Sequence, residues 1–260
     1  MPPFLQAFVF AFGAVIGSFL NCVIWRLRTK ESFLRGRSYC PKCRHVLAAA
    51  DLVPLLSFLL LRGKCRYCSL RIDPSYFLIE SATGLLFLLV ALVSFPAGAA
   101  SIGMTAMAEL LLGWFLVAVL VIVFVFDLRY MLIPRSLTLP AAALAFAANI
   151  ALGDDILMAA IGIAVGGGFF WLQRVLSQGK WIGGGDVYLG LLMGAALGFP
   201  LVLVALFFAY VIGAVFGVSM MAVRRKSMKS EIPFGTFLSA ATIFTMLYGQ
   251  TVLDWYLGML

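Results

Sequence analysis

All 19 Lys and Arg residues of this chain fall in alternate gaps between eight apolar segments. Few folds accommodate that pattern. Measured against the roughly 20 apolar residues that a helix needs to cross a bilayer core, the segments are 4–25, 76–95, 108–126, 136–152, 156–173, 186–199, 201–223 and 234–256. The first gap, 26–71, holds eleven Lys or Arg residues. Arg129 and Arg135 lie in the next gap on the same side, Arg174 and Lys180 in the third, and Arg224, Arg225, Lys226 and Lys229 in the fourth. The opposite gaps carry Glu109, Asp154, Asp155 and Asp254 and no basic residue. Basic residues stay on the cytoplasmic side of inserted helices. The N-terminus is therefore expected outside and the four basic loops inside; adding or deleting one span would scatter the charges across both sides.

Composition agrees. Of 260 residues, 63% are hydrophobic and 12% charged, against about 25% charged in a soluble domain. The expected fold is an all-α polytopic membrane bundle of about eight transmembrane helices, with one small cytoplasmic loop region. Three parts are expected: a first helix at 1–25, a cysteine-bearing loop at 26–75, and a seven-helix membrane domain at 76–260. No Lys or Arg precedes the first segment, whereas Arg26, Arg28 and Lys30 follow it, which reads as an uncleaved span rather than a signal peptide. The sixth segment is short, and its boundary with the seventh rests on Gly198 and Pro200. Residues 52–61 are apolar but too few to span, so they are expected within the loop or at the membrane interface. The net charge of +8 reports topology and contact with anionic lipid, not nucleic-acid binding. There is no clear internal repeat, and Gly166-Gly167-Gly168 is read as a close helix-packing surface.

Two acids stand apart. Asp127 follows the apolar run 116–126, and Asp186 follows Gly183-Gly184-Gly185; the topology sets both at the same depth on the basic side. Ionisable groups near hydrocarbon are costly and usually functional. Two carboxylates in contact share a proton, so one can act as base toward a water while the other polarises a carbonyl. The three glycines would let a substrate backbone approach. Helix capping accounts equally for Asp186, but Asp127 at a helix C-terminus meets the unfavourable end of the dipole and needs another reason. A proton-coupled transporter built on the same pair stays open here, as does a non-enzymatic assembly protein.

Cys40, Cys43, Cys65 and Cys68 form C-x2-C-x21-C-x2-C. Two close pairs suit a closed, tetrahedral, structural zinc site, and disulfides rarely persist in a reducing cytosol. The single histidine, His45, is expected at the surface beside this site, and Cys22 as a small buried side chain in the first span.

The sequence resembles the type IV prepilin peptidases, bifunctional membrane aspartyl leader peptidases and N-methyltransferases. The likeness is carried by Gly17-Ser18-Phe19-Leu20-Asn21, Val23-Ile24-Trp25-Arg26-Leu27, both CxxC pairs and Pro54-Leu55-Leu56-Ser57 with 59–63. It continues through Phe126-Asp127-Leu128, Ile133-Pro134, Leu137-Thr138-Leu139-Pro140, Gly183-Gly184-Gly185-Asp186 as GxGD, and Pro233-Phe234-Gly235. The resemblance implies prepilin or pseudopilin substrates cut at a short basic leader, an inner-membrane location, and S-adenosylmethionine as methyl donor. It leaves a peptidase without methyl transfer open. Asn21 and Glu80 are polar groups that would line a methyl-transfer region or bond between helices. Two positions depart from the family pattern: Arg135 follows Pro134 where Asp or Asn is common, and Tyr188 stands where many members have Lys. Both bear on substrate preference and on the electrostatics of the aspartate pair.

Overall fold

The computed structural model describes residues 1–32, 36–95, 103–222 and 232–259. Arg35, Val223 at the end of the seventh apolar segment, and the basic residues Arg224, Arg225, Lys226 and Lys229 lie outside the described residues. The chain forms two compact units, Met1–Leu110 and Leu111–Leu260. Among the described residues the regular structure is helical, with two isolated β-bridges. Among the described residues, seven helices are long and apolar enough to cross a membrane, and an eighth is apolar but short. The chain is a polytopic membrane protein, as a lipid solvent demands of backbone that must satisfy its own hydrogen bonds.

The first unit contains α1 (Pro3–Thr29), a 3-10 turn (Ala49–Leu52), α2 (Leu56–Leu60), α3 (Ser75–Ser94) and the opening turns of α4 (Met104–Tyr130). Proline starts α1, where a missing N–H costs nothing. Arg26 and Arg28 occupy its last turn, matching the negative end of the helix. α1 and α3 run antiparallel in contact because glycines let their backbones close. A methyl group on Gly13 would lie 2.8 Å from Phe87 Cβ and 2.9 Å from Gly84 Cα, and one on Gly17 would lie 2.8 Å from Glu80 Cα. Such small-residue seams replace the hydrophobic drive that lipid removes. At the loop end the pair is closed by Asn21 Nδ2, which donates to the Tyr76 carbonyl at 3.2 Å.

The second unit holds the rest of α4 with α5 (Arg135–Leu152), α6 (Ile156–Leu176), α7 (Gly184–Leu197), α8 (Leu201–Ala222) and α9 (Phe234–Leu257). α7 is central and packs on α5, α6, α8 and α9. Its 14 residues rise about 21 Å, less than the roughly 30 Å of a bilayer core. Wrapped by neighbours, it has no need to reach across alone. Gly162 meets Gly194, and Gly166 meets Gly190, with no room for a side chain on either helix. Gly167 lies against Leu191, while Gly168 faces open space, so two glycines of the run make the packing surface rather than three. α7 ends at Leu197 and α8 begins at Leu201, around Gly198 and Pro200 as expected.

Two of the boundaries that move bear on the acids. α4 runs to Tyr130 rather than stopping at 126, so Asp127 lies inside its last turn. α7 begins at Gly184, which sets Asp186 at its third position rather than its first. In both cases residues that are not strongly apolar, Asp127 to Tyr130 in α4 and Gly184 and Gly185 in α7, extend a helix past its apolar stretch, which is all that hydropathy can see.

Candidate active site and metal centre

At the loop end of the second unit, α4 ends while α7 and α9 begin. Pro134 and Pro233, both in extended conformation, stand immediately before α5 and α9. Asp127 is buried, and its Oδ2 accepts the Thr236 backbone N–H at 2.9 Å and the Thr236 hydroxyl at 3.3 Å. The carboxylate of α4 therefore caps the N-terminus of α9, where free amides and the positive end of the macrodipole favour an anion. This supplies the reason that its place in the last turn of its own helix lacked. Asp186 is also buried and closes the first turn of α7 by accepting the Gly183 N–H at 3.1 Å.

One side chain ties the two acids' surroundings together. Ile133, in the turn between α4 and α5, fills the space that Gly185 and Gly235 leave. A methyl group on Gly185 would lie 2.8 Å from Ile133 Cβ, and one on Gly235 would lie 2.8 Å from Ile133 Cδ1 and 3.0 Å from Asp127 Oδ2. Both carboxyl groups thus stand at the same end of the unit, one in the last turn of α4 and the other in the first turn of α7. The three glycines before Asp186 divide in their surroundings. The space above Gly184 is taken by the Arg174 guanidinium and that above Gly185 by Ile133, whereas Gly183 is exposed, and a methyl group on it would stand 3.4 Å from the Asp186 carboxylate.

Around this end, Gln173 and Tyr210 share a hydrogen bond at 2.9 Å. The Tyr210 ring packs edge-on against Phe234 at 4.9 Å, and Phe234 against Phe170 at 6.3 Å. These aromatics fix the start of α9 and hence the amides that hold Asp127. The two departures from the family pattern meet each other: Arg135 Cζ lies 5.2 Å from the centre of the Tyr188 ring, a cation–π distance. Thr236 and the Gln173–Tyr210 pair were not singled out from sequence, and Ile133 was noted only as part of the family resemblance, without its packing role. Thr236 was accessible in principle, as a donor with a free backbone amide at the third position of the helix that follows Pro233; the others depend on tertiary contact.

In the first unit, the four cysteine sulfurs of Cys40, Cys43, Cys65 and Cys68 lie within 4.8 Å of one another. Four thiolates about 2.3 Å from a tetrahedral ion stand about 3.8 Å apart, so the cluster fits a metal. Each pair sits on the same backbone turn. The Cys40 N–H donates to the His45 carbonyl and the Arg44 N–H to Cys40; equivalently, the Cys65 N–H donates to Leu70 and the Ser69 N–H to Cys65, all at 2.8–2.9 Å. Arg44 and Ser69 both take positive φ, 58° and 57°, and bridges Tyr39–Val46 and Lys64–Arg71 close the two turns. This local duplication was invisible in sequence because only the cysteines recur. Burial opposes ionisation of Cys40, yet the Cys43 and Lys42 amides and neighbouring thiols bring it down to about 7. For Cys68 the Leu70 amide favours the thiolate, but burial and the other three sulfurs push it up to about 11.

The rest of the loop is stitched to the cluster. Asp51 accepts from Arg66 Nε at 2.6 Å, the Tyr67 hydroxyl at 2.9 Å and the Ala48 N–H at 3.1 Å; these donors hold its carboxyl below the usual range, against the opposing effect of burial. His45 is exposed and stacks on Tyr67 at 3.6 Å. Cys22 is half-buried in α1. Glu80 is buried in α3 and accepts the Leu55 N–H at 2.8 Å, so its bond runs to the loop rather than to another long helix.

Comparison with known proteins follows this division. Residues 11–94 match the model of the bacterial peptidase A24 N-terminal domain, and residues 114–218 match that of the type IV leader peptidase family. A protein of Aeromonas salmonicida called prepilin leader peptidase/N-methyltransferase is 33% identical over 288 residues, covering 99% of this chain and 96% of that one. Proteins of the same name from Bacillus subtilis and Pseudomonas aeruginosa are 33% and 30% identical. They cover 98% and 94% of this chain, and 99% and 91% of their own. No solved structure matches.

Proposed function

Because this chain belongs to the type IV leader peptidase family, we propose that it is an inner-membrane aspartyl endopeptidase. Its substrates are type IV prepilins or pseudopilins, whose basic leader it removes, and it also N-methylates the new N-terminus. The observation that carries the peptidase reading is the presence of two buried carboxylates at one end of the second unit, Asp127 beside Gly235 and Asp186 directly after Gly185, with Ile133 packed against both glycines.

Two carboxylates brought into contact share one proton. The ionised member takes a proton from water, and the protonated member hydrogen-bonds the scissile carbonyl oxygen as the water adds to its carbon. The proton then passes to the departing amine, and the pair returns to its starting state. The Thr236 donors hold Asp127 in place, and the first turn of α7 holds Asp186, so neither acid needs to reorganise during the reaction. Gly183 is the open edge of the glycine run and the natural approach for an extended substrate backbone. Arg129, Arg135, Arg174 and Lys180 flank this end of the unit while Asp154, Asp155 and Asp254 mark the other. That division supports a cytoplasmic active end, a cytoplasmic cysteine loop and an N-terminus outside.

The four thiolates would hold one zinc ion as a structural staple with no open position. For methyl transfer, S-adenosylmethionine supplies the methyl group when bound, and the first unit, 26–75 with the facing turns of α1 and α3, is the proposed place. Asn21 and Glu80 already serve the chain's own backbone, so their part is to shape that region. The test is purified protein in proteoliposomes with a candidate prepilin, with and without S-adenosylmethionine, read by product mass. Loss of the leader followed by a donor-dependent methyl increment is expected; an uncut substrate overturns the peptidase, and a cut but unmethylated product overturns the second activity alone.

A further inference from the structure

The cysteine loop carries an apolar turn that the aspartate chemistry does not use. Leu56, Leu59 and Leu60 of α2 are 58%, 59% and 82% exposed, and Leu52 and Val53 just before them are exposed as well. The opposite side of the turn is docked: the Phe58 ring lies 5.4 Å from that of Phe77 on α3. Leu55, held at φ 61°, turns its N–H to Glu80 at 2.8 Å. Glu80 stands five residues into α3, about 7.5 Å along its axis. The turn therefore lies beside the apolar length of α3 and not beyond its end.

Its backbone is equipped for a dry setting. The amides of Leu56, Ser57, Leu59, Leu61, Arg62 and Gly63 all bond to carbonyls of the segment 53–59, and Leu55, which faces out of the turn, is satisfied by the buried carboxylate. Backbone at membrane depth has to be satisfied in this way. The next residues in the chain, Arg62 and Lys64, are exposed, on stems long enough to carry their charges to lipid phosphates.

We propose that residues 52–61 form an interfacial anchor that sinks the exposed leucines of α2 into an anionic bilayer, fixing the depth of the cysteine loop against its own membrane. An exposed leucine cluster beside a transmembrane helix matches hydrocarbon, and the basic residues that follow match anionic headgroups. Glu80 then helps to make the immersion tolerable, by taking the Leu55 amide that faces out of the turn.

The test uses the full chain in vesicles of phosphatidylcholine containing one quarter phosphatidylglycerol, with Leu60→Trp compared against the unsubstituted chain. The added emission is expected to be quenched by lipid brominated along its acyl chains and protected from acrylamide in the water. Quenching by acrylamide without quenching by brominated lipid overturns the proposal, and so does protection from both, which would mean that protein covers the turn. Arg62→Gln with Lys64→Gln is expected to reduce the brominated-lipid quenching in these vesicles but not in pure phosphatidylcholine; equal quenching in both overturns the anionic-lipid part. Neither readout depends on peptidase or methyl-transfer activity.

Discussion

Replacing Gly235 with alanine should damage catalysis far more than it damages the fold. The added methyl would stand 2.8 Å from Ile133 Cδ1 and 3.0 Å from Asp127 Oδ2. The Ile133 methyl is the end of a flexible side chain and can turn away. The carboxylate has to give by about 0.4 Å to reach ordinary van der Waals contact. Its bond from the Thr236 hydroxyl is already 3.3 Å long and would be lost, while the 2.9 Å amide bond would stretch. Small overpacking of this kind costs about 1 kcal/mol of stability. Losing one charge-assisted bond and weakening another removes about 1.4–2.7 kcal/mol from a carboxylate that must be held in place. If that loss falls on the transition state, kcat drops roughly tenfold to a hundredfold, with KM little changed because the substrate's own contacts remain. Leader cleavage in proteoliposomes, with kcat and KM separated, reads the effect. Gly168→Ala is the control, since nothing lies within 4 Å of that position. Cleavage by Gly235→Ala within twofold of the parent, on protein of parental thermal stability, would refute the claim that Thr236 and the α9 start position Asp127.

Three further outcomes follow from other contacts. Freshly prepared, reduced protein should contain about one zinc per chain, and Cys43→Ser with Cys68→Ser should lose it; elemental analysis finding no metal in the parent would contradict the staple. Glu80→Leu leaves the Leu55 N–H without its acceptor and should cost about 1–3 kcal/mol, whereas Glu80→Gln keeps an acceptor oxygen and should cost less; thermal unfolding in detergent measures both, and equal losses would show that the bond is unimportant. Gly190→Leu cannot fit against the Gly166 carbonyl and the Phe170 ring and should prevent stable folding of the second unit, so a variant that purifies with parental stability would contradict the α6–α7 seam.

The helices could be read from sequence because lipid imposes one rule on every segment, enough apolar residues to cross, and because basic residues mark the sides. Hydropathy fails where polar residues or glycines continue a helix, which is why α4 was expected to stop before Asp127 and α7 to start at Asp186. The candidate site was legible as two acids and a glycine run, since acids near hydrocarbon are rare. What could not be read is what each glycine makes room for. Gly185 and Gly235 make room for Ile133, and Gly184 for Arg174; such knowledge needs partners from α4–α5 and α6 that lie far away in the chain. Asp127 shows the same limit. Sequence placed it at the unfavourable end of its own helix, and the compensating helix end belongs to α9, about a hundred residues later. The matching backbone turns around the two cysteine pairs were hidden for the opposite reason: hydrogen bonds between main-chain atoms leave no trace in the identity of the side chains.

The most direct measurement is mass analysis of a prepilin incubated with the parent protein, with Asp127→Asn and with Asp186→Asn, each reconstituted and shown to be inserted and folded. The account predicts a leader removed by the parent and a substrate left whole by both variants. Cleavage at the parental rate by either variant would contradict it, because one carboxyl group alone cannot serve as both the base toward water and the acid toward the carbonyl.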